Sequence, residues 1–122
     1  MVIEHKHLIV RAKVARPPKF PLGVEVWFKE LVNALGMNLL AGPFARYVHT
    51  EGNRGITAVC IIETSHIAMH VWDEQDPALM QLDVYTCGSL DPFTVWTALE
   101  CFEPETIEWK YLDREFGLKE IT

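Results

Sequence analysis

The sequence predicts an α+β fold: a two-layer α/β sandwich in which a largely antiparallel sheet carries two helices on one face. Short segments that alternate apolar and polar residues outnumber the two segments in which apolar residues recur at helical spacing. Consecutive strand segments are joined by links too short for parallel crossovers, which need about a dozen residues or more. The length of 122 residues, of which 49% are hydrophobic, fits a single domain over residues 1–122.

The first third of the chain predicts a strand followed by the clearest helix. Residues 8–14 alternate apolar and polar side chains, and Pro17 and Pro18 then interrupt the strand. Within residues 24–35 the apolar side chains recur at helical spacing and form one stripe, which is typical of a helix packed on a core. Gly36 suits the C-terminal cap of this helix.

Four strands are predicted in the middle of the chain. Residues 39–49 form the first of them, and a glycine-rich turn follows. Residues 56–62 are almost continuously apolar and β-branched, which favours a central strand buried on both faces. Residues 67–71 and 79–87 alternate again and predict two further strands.

A second helix and a last strand are predicted in the C-terminal part. Asp91 supplies a cap acceptor, and Pro92 suits the first helical position. The predicted apolar face of this helix consists of Phe93, Trp96 and Leu99. Residues 107–111 predict the last strand. Because two helices cannot cover both faces of such a sheet, the other face needs a partner, and an isologous homodimer is the simplest one.

Charge and cysteine content exclude several classes of protein. The net charge of −6 argues against binding to nucleic acid or to anionic membranes, since no basic stripe is available to neutralise phosphates. No apolar run approaches the roughly 18 residues that a membrane helix needs, and the N-terminus lacks the pattern of a signal peptide. The three cysteines are an odd number without CxxC spacing, which indicates a reducing compartment. We therefore expect a cytoplasmic protein.

The histidine pairs do not predict a metal site. His5 and His7 share one side of the first strand, but a third ligand is not identifiable. His66 and His70 are four strand residues apart, which is about 13 Å and too far to share one ion.

Thr64, Ser65 and His66 stand between two apolar strands, where a tight turn of Gly or Asn is the usual choice. The stretch "GITAVCIIETSHIAMHVWDE", followed by "LDVYTCGSLDPF", resembles the short prokaryotic form of S-adenosylmethionine decarboxylase. The shared order is a serine-histidine pair, a second histidine, a tryptophan, a glutamate, and an Asp-Val-aromatic-Thr-Cys-Gly string before an Asp-Pro helix start. The resemblance spans about residues 55–99.

This resemblance implies a covalent pyruvoyl group made from Ser65, without a metal or pyridoxal phosphate. Decarboxylation of an amino acid leaves a carbanion, and a ketone can accept its electrons whereas ordinary side chains cannot. In the family's scheme the Ser65 hydroxyl attacks the Thr64 carbonyl, and the chain splits into residues 1–64 and 65–122. Strict alternation places Ser65 and His70 on opposite faces of a strand, so the scheme requires a bend at Ser65.

The resemblance also implies a role for each of four further residues. Thr57 occupies the place of a family serine that helps hold the developing oxyanion. His70 would remove the α-proton of Ser65, and Cys87 would donate the proton that quenches the substrate carbanion. Glu74 would bind substrate through the ribose hydroxyls. The implied reaction is decarboxylation of S-adenosylmethionine to the aminopropyl donor for spermidine synthesis.

Two departures from the family leave alternatives open. Thr64 stands where the family commonly has glutamate. The segment before Gly55 lacks an aromatic residue suited to stack on adenine, for which Tyr47 or Phe44 are possible replacements. The alternatives are a pyruvoyl decarboxylase of another amino acid and an uncleaved, non-catalytic paralogue that binds a ligand or partner.

Overall fold

A computed structural model describes residues 4–121, and residues 1–3 and 122 of the predicted domain lie outside the described part. The elements are β1 (Lys6–Val14), α1 (Pro21–Ala34), β2 (Leu39–Val48), β3 (Gly55–Ile62), β4 (Ser65–Trp72), β5 (Ala78–Thr86), α2 (Pro92–Leu99), a short 3₁₀ turn (Glu100–Phe102), β6 (Pro104–Asp113) and β7 (Lys119–Glu120). This order confirms the predicted sequence of strands and helices. It adds β7, whose two residues are too few to show alternation.

One sheet contains all seven strands in the order β2-β3-β4-β5-β1-β6-β7. Every pairing between neighbours is antiparallel, as the short links predict. β3, β4 and β5 form a meander, and β1 pairs between β5 and β6. Ser65, the first residue of β4, lies opposite Ile62 of β3 and Thr86 of β5.

Both helices pack on one face of the sheet, which confirms the predicted sandwich. Strand side chains on this face are fully buried, for example Leu8, Ile67 and Leu82, at 0–1% exposure. The predicted stripe of α1 is buried against them and consists of Val24, Trp27, Phe28, Leu31 and Val32. The indole N–H of Trp27 donates to the carbonyl of Ala98 in α2 over 2.8 Å and joins the two helices.

The start of α2 is as predicted, and its buried face is as predicted at Leu99 but not at Phe93. The Asp91 side chain accepts a hydrogen bond from the N–H of Phe93 at the N-terminus of the helix. Phe93 is 75% exposed, however, whereas Val95 and Leu99 are fully buried. The prediction was wrong at Phe93 because the helix turns Val95 and Leu99 to the core, with Trp96 and Ala98 packed at its edge.

The sheet face opposite the helices, which we call the open face, is covered by neither helix within residues 4–121. The predicted burial of β3 on both faces is therefore wrong: Val59 and Ile61 point to the open face and are 41% and 46% exposed. The apolar run has the composition of a strand between two layers, but the chain supplies a layer on one side only. No helix in the described part of the chain is long and apolar enough to cross a membrane.

Candidate active site

The turn between β3 and β4 contains the predicted cleavage site. β3 ends at Ile62 and β4 begins at Ser65, so Glu63 and Thr64 form a two-residue loop. Tight hairpins usually place the positive φ on Gly or Asn within the loop. Here it falls on Ser65, with a φ of 145°. L-residues rarely adopt this conformation, which costs on the order of 1–3 kcal/mol. The strain predicted at Ser65 is present, but β4 pairs without a register shift from Ser65 to Trp72, so no bend brings Ser65 and His70 to one face within the chain.

The carbonyl of Thr64, which a Ser65 hydroxyl would attack, has a backbone hydrogen-bond donor. The N–H of Cys87 donates to the Thr64 oxygen over 2.7 Å. Such a bond polarises the carbonyl and stabilises negative charge that develops on its oxygen. The sequence pattern could not reveal this donor because it is a main-chain group that the register between β4 and β5 brings into place.

The side chain of Thr64 is held by the same segment. The Thr86 hydroxyl donates to Thr64 Oγ1 over 2.8 Å and accepts a bond from the N–H of Gly88 over 2.9 Å. Within residues 4–121, Thr86 is the one buried polar residue, at 0% exposure. Sequence reasoning missed Thr86, although a threonine at a core-facing position of β5 was a usable signal.

Thr57 and His70 form a pair on the open face. They lie directly opposite each other on β3 and β4, and Thr57 Oγ1 is 2.7 Å from His70 Nδ1. A hydrogen bond at one ring nitrogen fixes the orientation of an imidazole and leaves Nε2 for proton transfer. The sequence predicted both residues for the site, and the structure brings them together.

The Thr57–His70 pair is distant from the cleavage turn of the same chain. His70 follows Ser65 by five residues along β4, which corresponds to roughly 16 Å. The expected contact between Thr57 and the Thr64 carbonyl is therefore not formed within one chain. Thr64, Ser65 and Cys87 make up one half of the candidate site, and Thr57 and His70 make up the other.

The cysteines differ in environment, and none of them forms a disulfide. Cys60 is fully buried in the core, and this burial raises the pKa of its thiol to about 11. Cys101 is exposed on the helix side. Cys87 is half-buried and adjoins the cleavage turn through its N–H. It is therefore the cysteine that the fold places beside Ser65.

Glu74 lies after β4, and its carboxylate supports the turn before β3. Its oxygens accept bonds from the N–H groups of Gly52 and Arg54, over 3.0 and 3.1 Å. These bonds, that of Gly52 first, lower the pKa of the carboxyl group. Glu74 also lines a hollow of about 340 Å³ together with Lys13 and Trp72. A second hollow of about 340 Å³ contains Thr57, His70 and again Trp72.

Three aromatic side chains lie near these hollows or on the open face. The Tyr47 hydroxyl donates to the carboxylate of Asp73, with both oxygens at 2.9 Å, and this bond raises the pKa of the tyrosine. Phe44 is 56% exposed and lies opposite Val59. Trp72, which sequence reasoning did not single out as a stacking residue, lines both hollows and donates to Asn53 over 2.7 Å.

His7, in the first strand, has protein partners on both ring nitrogens. His7 contacts the carboxylate of Asp83, and its other ring nitrogen lies 3.3 Å from the guanidinium of Arg114. That guanidinium is 4.1 Å from the centre of the Tyr85 ring. Among the residues that the structure describes, no three His, Cys, Asp or Glu side chains are grouped to hold a metal ion.

Comparison with known proteins extends the resemblance to most of the chain. A model described as S-adenosylmethionine decarboxylase matches residues 19–115. An S-adenosylmethionine decarboxylase proenzyme from Methanococcus maripaludis strain C5 is 31% identical over 101 residues, which are 81% of this chain and 76% of that protein. One from Carboxydothermus hydrogenoformans is 36% identical over 75 residues, 61% of this chain and 47% of that protein.

A solved structure has the same fold. The crystal structure of the adenosylmethionine decarboxylase from Aquifex aeolicus matches with a TM-score of 0.63 at 22% identity, covering 100% of this chain and 98% of that one. The family model and the proenzyme from M. maripaludis confirm the family predicted from the residues around Ser65. The chain belongs to the S-adenosylmethionine decarboxylase family, an enzyme family of carboxy-lyases.

Proposed function

We propose that this chain is the proenzyme of a pyruvoyl-dependent decarboxylase that converts S-adenosylmethionine to the aminopropyl donor for spermidine synthesis, in the cytoplasm. The observation that supports the proposal most is the turn at Ser65. A serine hydroxyl follows a carbonyl that the Cys87 N–H holds at 2.7 Å, in a backbone with a φ of 145°. Together they place an attacking hydroxyl next to a polarised carbonyl in a strained peptide.

Self-cleavage starts as an isomerisation of the Thr64–Ser65 peptide. The Ser65 oxygen bonds to the Thr64 carbonyl carbon, the bond from that carbon to the Ser65 nitrogen breaks, and the hydroxyl proton moves to the freed amine. Negative charge on the Thr64 oxygen is stabilised by the Cys87 N–H. The strain at Ser65 favours the ester. Once the amide is gone, the chain runs through the side-chain oxygen of Ser65 and not through its nitrogen, so φ at this residue is no longer constrained.

Chain separation requires a base at the α-carbon of Ser65. Loss of that proton and departure of the Thr64 carboxylate from the β-carbon release residues 1–64. The remaining amine of residue 65 leaves as ammonia after addition of water. We assign the base to His70, whose imidazole Thr57 orients at Nδ1.

The position of His70 requires a second subunit. Within one chain it lies roughly 16 Å from Ser65 along β4. The open face exposes apolar side chains that a partner would cover, namely Ile9, Phe44, Val59 and Ile61, at 41–56% exposure. We propose an isologous homodimer through this face, in which the partner's His70 serves Ser65 of the first chain.

The residues at the turn suit a pyruvoyl group at position 65. That group, when formed, supplies the electron sink for loss of carbon dioxide. The Cys87 thiol, half-buried beside the turn, would deliver a proton to the substrate carbon. Trp72 and Glu74 follow His70 along the chain, so the substrate at Ser65 would meet those of the partner subunit. Glu74, ionised at neutral pH, keeps free lone pairs that would accept bonds from the ribose hydroxyls. Trp72 lines the same hollow and offers a flat apolar surface for adenine.

Release of labelled carbon dioxide tests the proposal. S-adenosylmethionine labelled in its carboxyl group should release label with the protein and none with Ser65→Ala. Release of label from a different carboxyl-labelled amino acid would support a pyruvoyl decarboxylase with another substrate. If folded protein releases label from neither, the chain is a non-catalytic paralogue.

A further inference from the structure

We propose that Thr86 is a positioning residue for self-cleavage, which acts by fixing Thr64 through the hydrogen bond between their hydroxyl groups. This inference rests on the proposed function. It adds a residue that neither reacts nor binds substrate but acts through Thr64. Thr86 lies in β5, opposite Ser65, with its side chain on the helix side of the sheet. Its exposure is 0%.

Thr86 joins the segment after β5 to the turn through two hydrogen bonds. The main-chain N–H of Gly88 donates to the Thr86 oxygen over 2.9 Å. The Thr86 hydroxyl donates to Thr64 Oγ1 over 2.8 Å, which restrains the Thr64 side chain from a buried position.

Thr64 is consequently attached to one short segment at two points. Its carbonyl oxygen accepts from the N–H of Cys87 over 2.7 Å, and its side chain accepts from the neighbouring Thr86. One bond would leave the residue free to rotate about that contact. Two bonds from adjacent residues restrain both the Thr64 side chain and the carbonyl of the peptide that joins Thr64 to Ser65.

This attachment explains how the turn retains its strained conformation. A two-residue loop could relieve the φ of 145° at Ser65 by rotating the peptide bond before it. Rotation would take the Thr64 carbonyl away from Cys87, and the Thr86 bond opposes it. Thr86 is fully buried, at 0% exposure. Exclusion of water strengthens the bond between the hydroxyl groups.

The expected effect is confined to the first chemical step. Ester formation conserves all atoms of the Thr64–Ser65 peptide and needs no oxidant or co-reactant, so its rate depends on the geometry of hydroxyl and carbonyl. Once residues 1–64 have been released, Thr64 is a chain end and the bond to Thr86 has no further task. Loss of the Thr86 hydroxyl should slow splitting and leave turnover per split chain unchanged.

The test compares Thr86→Val with Thr86→Ser, following the appearance of the 65–122 fragment by denaturing mass spectrometry. We expect splitting at least about tenfold slower for Val, which has nearly the same shape, and close to the unmodified rate for Ser. Hydroxylamine identifies the step, because it cleaves esters far faster than amides. His70→Ala, which forms the ester and stalls, should be cut by hydroxylamine, and Thr86→Val should not.

Two results would overturn the inference while leaving the proposed function in place: splitting of Thr86→Val within about twofold of the unmodified rate, or accumulation of a hydroxylamine-sensitive ester in that variant. Should Thr86→Val fail to fold by circular dichroism, Thr64→Val removes the same bond from the turn side, with Thr64→Ser as its matched control and the same expected rates. If the unmodified protein does not split, both the proposed function and this inference are wrong.

Discussion

The N–H of Cys87 donates to the carbonyl oxygen of Thr64 over 2.7 Å. The bond extends the pairing of β4 and β5 one step beyond the last regular pair, Ser65 opposite Thr86, into the turn. A main-chain donor is thereby aimed at the one carbonyl whose neighbour is a serine with a φ of 145°. The Thr64–Ser65 peptide bond is therefore polarised on one side and strained on the other.

Replacement of Cys87 should separate splitting from turnover. The donor to Thr64 is the main-chain N–H, which Cys87→Ala retains, so we expect splitting to continue at a similar rate. The thiol proton is lost, and turnover should fall by roughly 10²-fold or more. Mass spectrometry of the fragments and labelled carbon dioxide release, measured on the same sample, check both parts. A variant that neither splits nor turns over would place the thiol in the first step instead.

Heterodimers should reveal whether His70 acts across the dimer. A His70→Ala chain keeps Ser65, and a Ser65→Ala chain keeps His70, so each alone should remain intact. Co-expressed with different tags, the His70→Ala chain should split because the partner's His70 reaches its turn. The Ser65→Ala homodimer is the control. Failure of the His70→Ala chain to split in verified heterodimers would contradict the arrangement, since the separation within one chain is roughly 16 Å.

Gly55 should not tolerate a side chain. A Cβ at this position would lie 1.8 Å from the carbonyl oxygen of Val71, and its φ is 146°. Gly55→Ala should lower the free energy of unfolding by roughly 1–3 kcal/mol from backbone strain alone, with the clash adding to it. Urea unfolding measures the change. Gly23→Ala, in open space on α1, should instead raise stability by about 0.5–1 kcal/mol; equal effects of both substitutions would contradict the close approach.

Stability should decrease at high pH because of Cys60. Burial raises its thiol pKa from the ordinary 9.0 to about 11, so the folded chain holds this proton more tightly than the unfolded chain. The stabilisation is complete below about pH 9 and is lost as pH rises through about 11, amounting to roughly 3 kcal/mol. Unfolding free energies across this range should fall less for Cys60→Ala than for the unmodified protein. Parallel slopes for the two proteins would show that Cys60 is not the responsible group.

The strands and helices could be predicted because each is encoded locally. Alternation in residues 8–14 and the Asp91-Pro92 start are properties of neighbouring residues, and the structure retains both. The exposure of Val59 and of Phe93 could not be predicted, since it depends on which layers the fold stacks. A single sequence shows which residues each strand contains, but not which elements pack on its two faces.

The candidate site shows the same division between local and long-range information. Ser65, Thr57 and His70 could be identified from motif order, and the pairing of Thr57 with His70 followed from strand register once the fold was known. The Cys87 N–H and the Thr86 hydroxyl could not be found in this way, because their roles come from the register of β5 beside the turn. Glu74 matched the motif, but its bonds to the turn at Gly52 and Arg54 required the structure.

The mass of the chain end at residue 65 tests the central claim most directly. Protein purified after folding should be separated under denaturing conditions and its fragments weighed. We predict a 1–64 fragment with a normal carboxylate, and a 65–122 fragment lighter by one ammonia than the fragment that hydrolysis of the Thr64–Ser65 peptide would give. A chain that remains whole, or a second fragment that begins with an intact serine, would contradict the account.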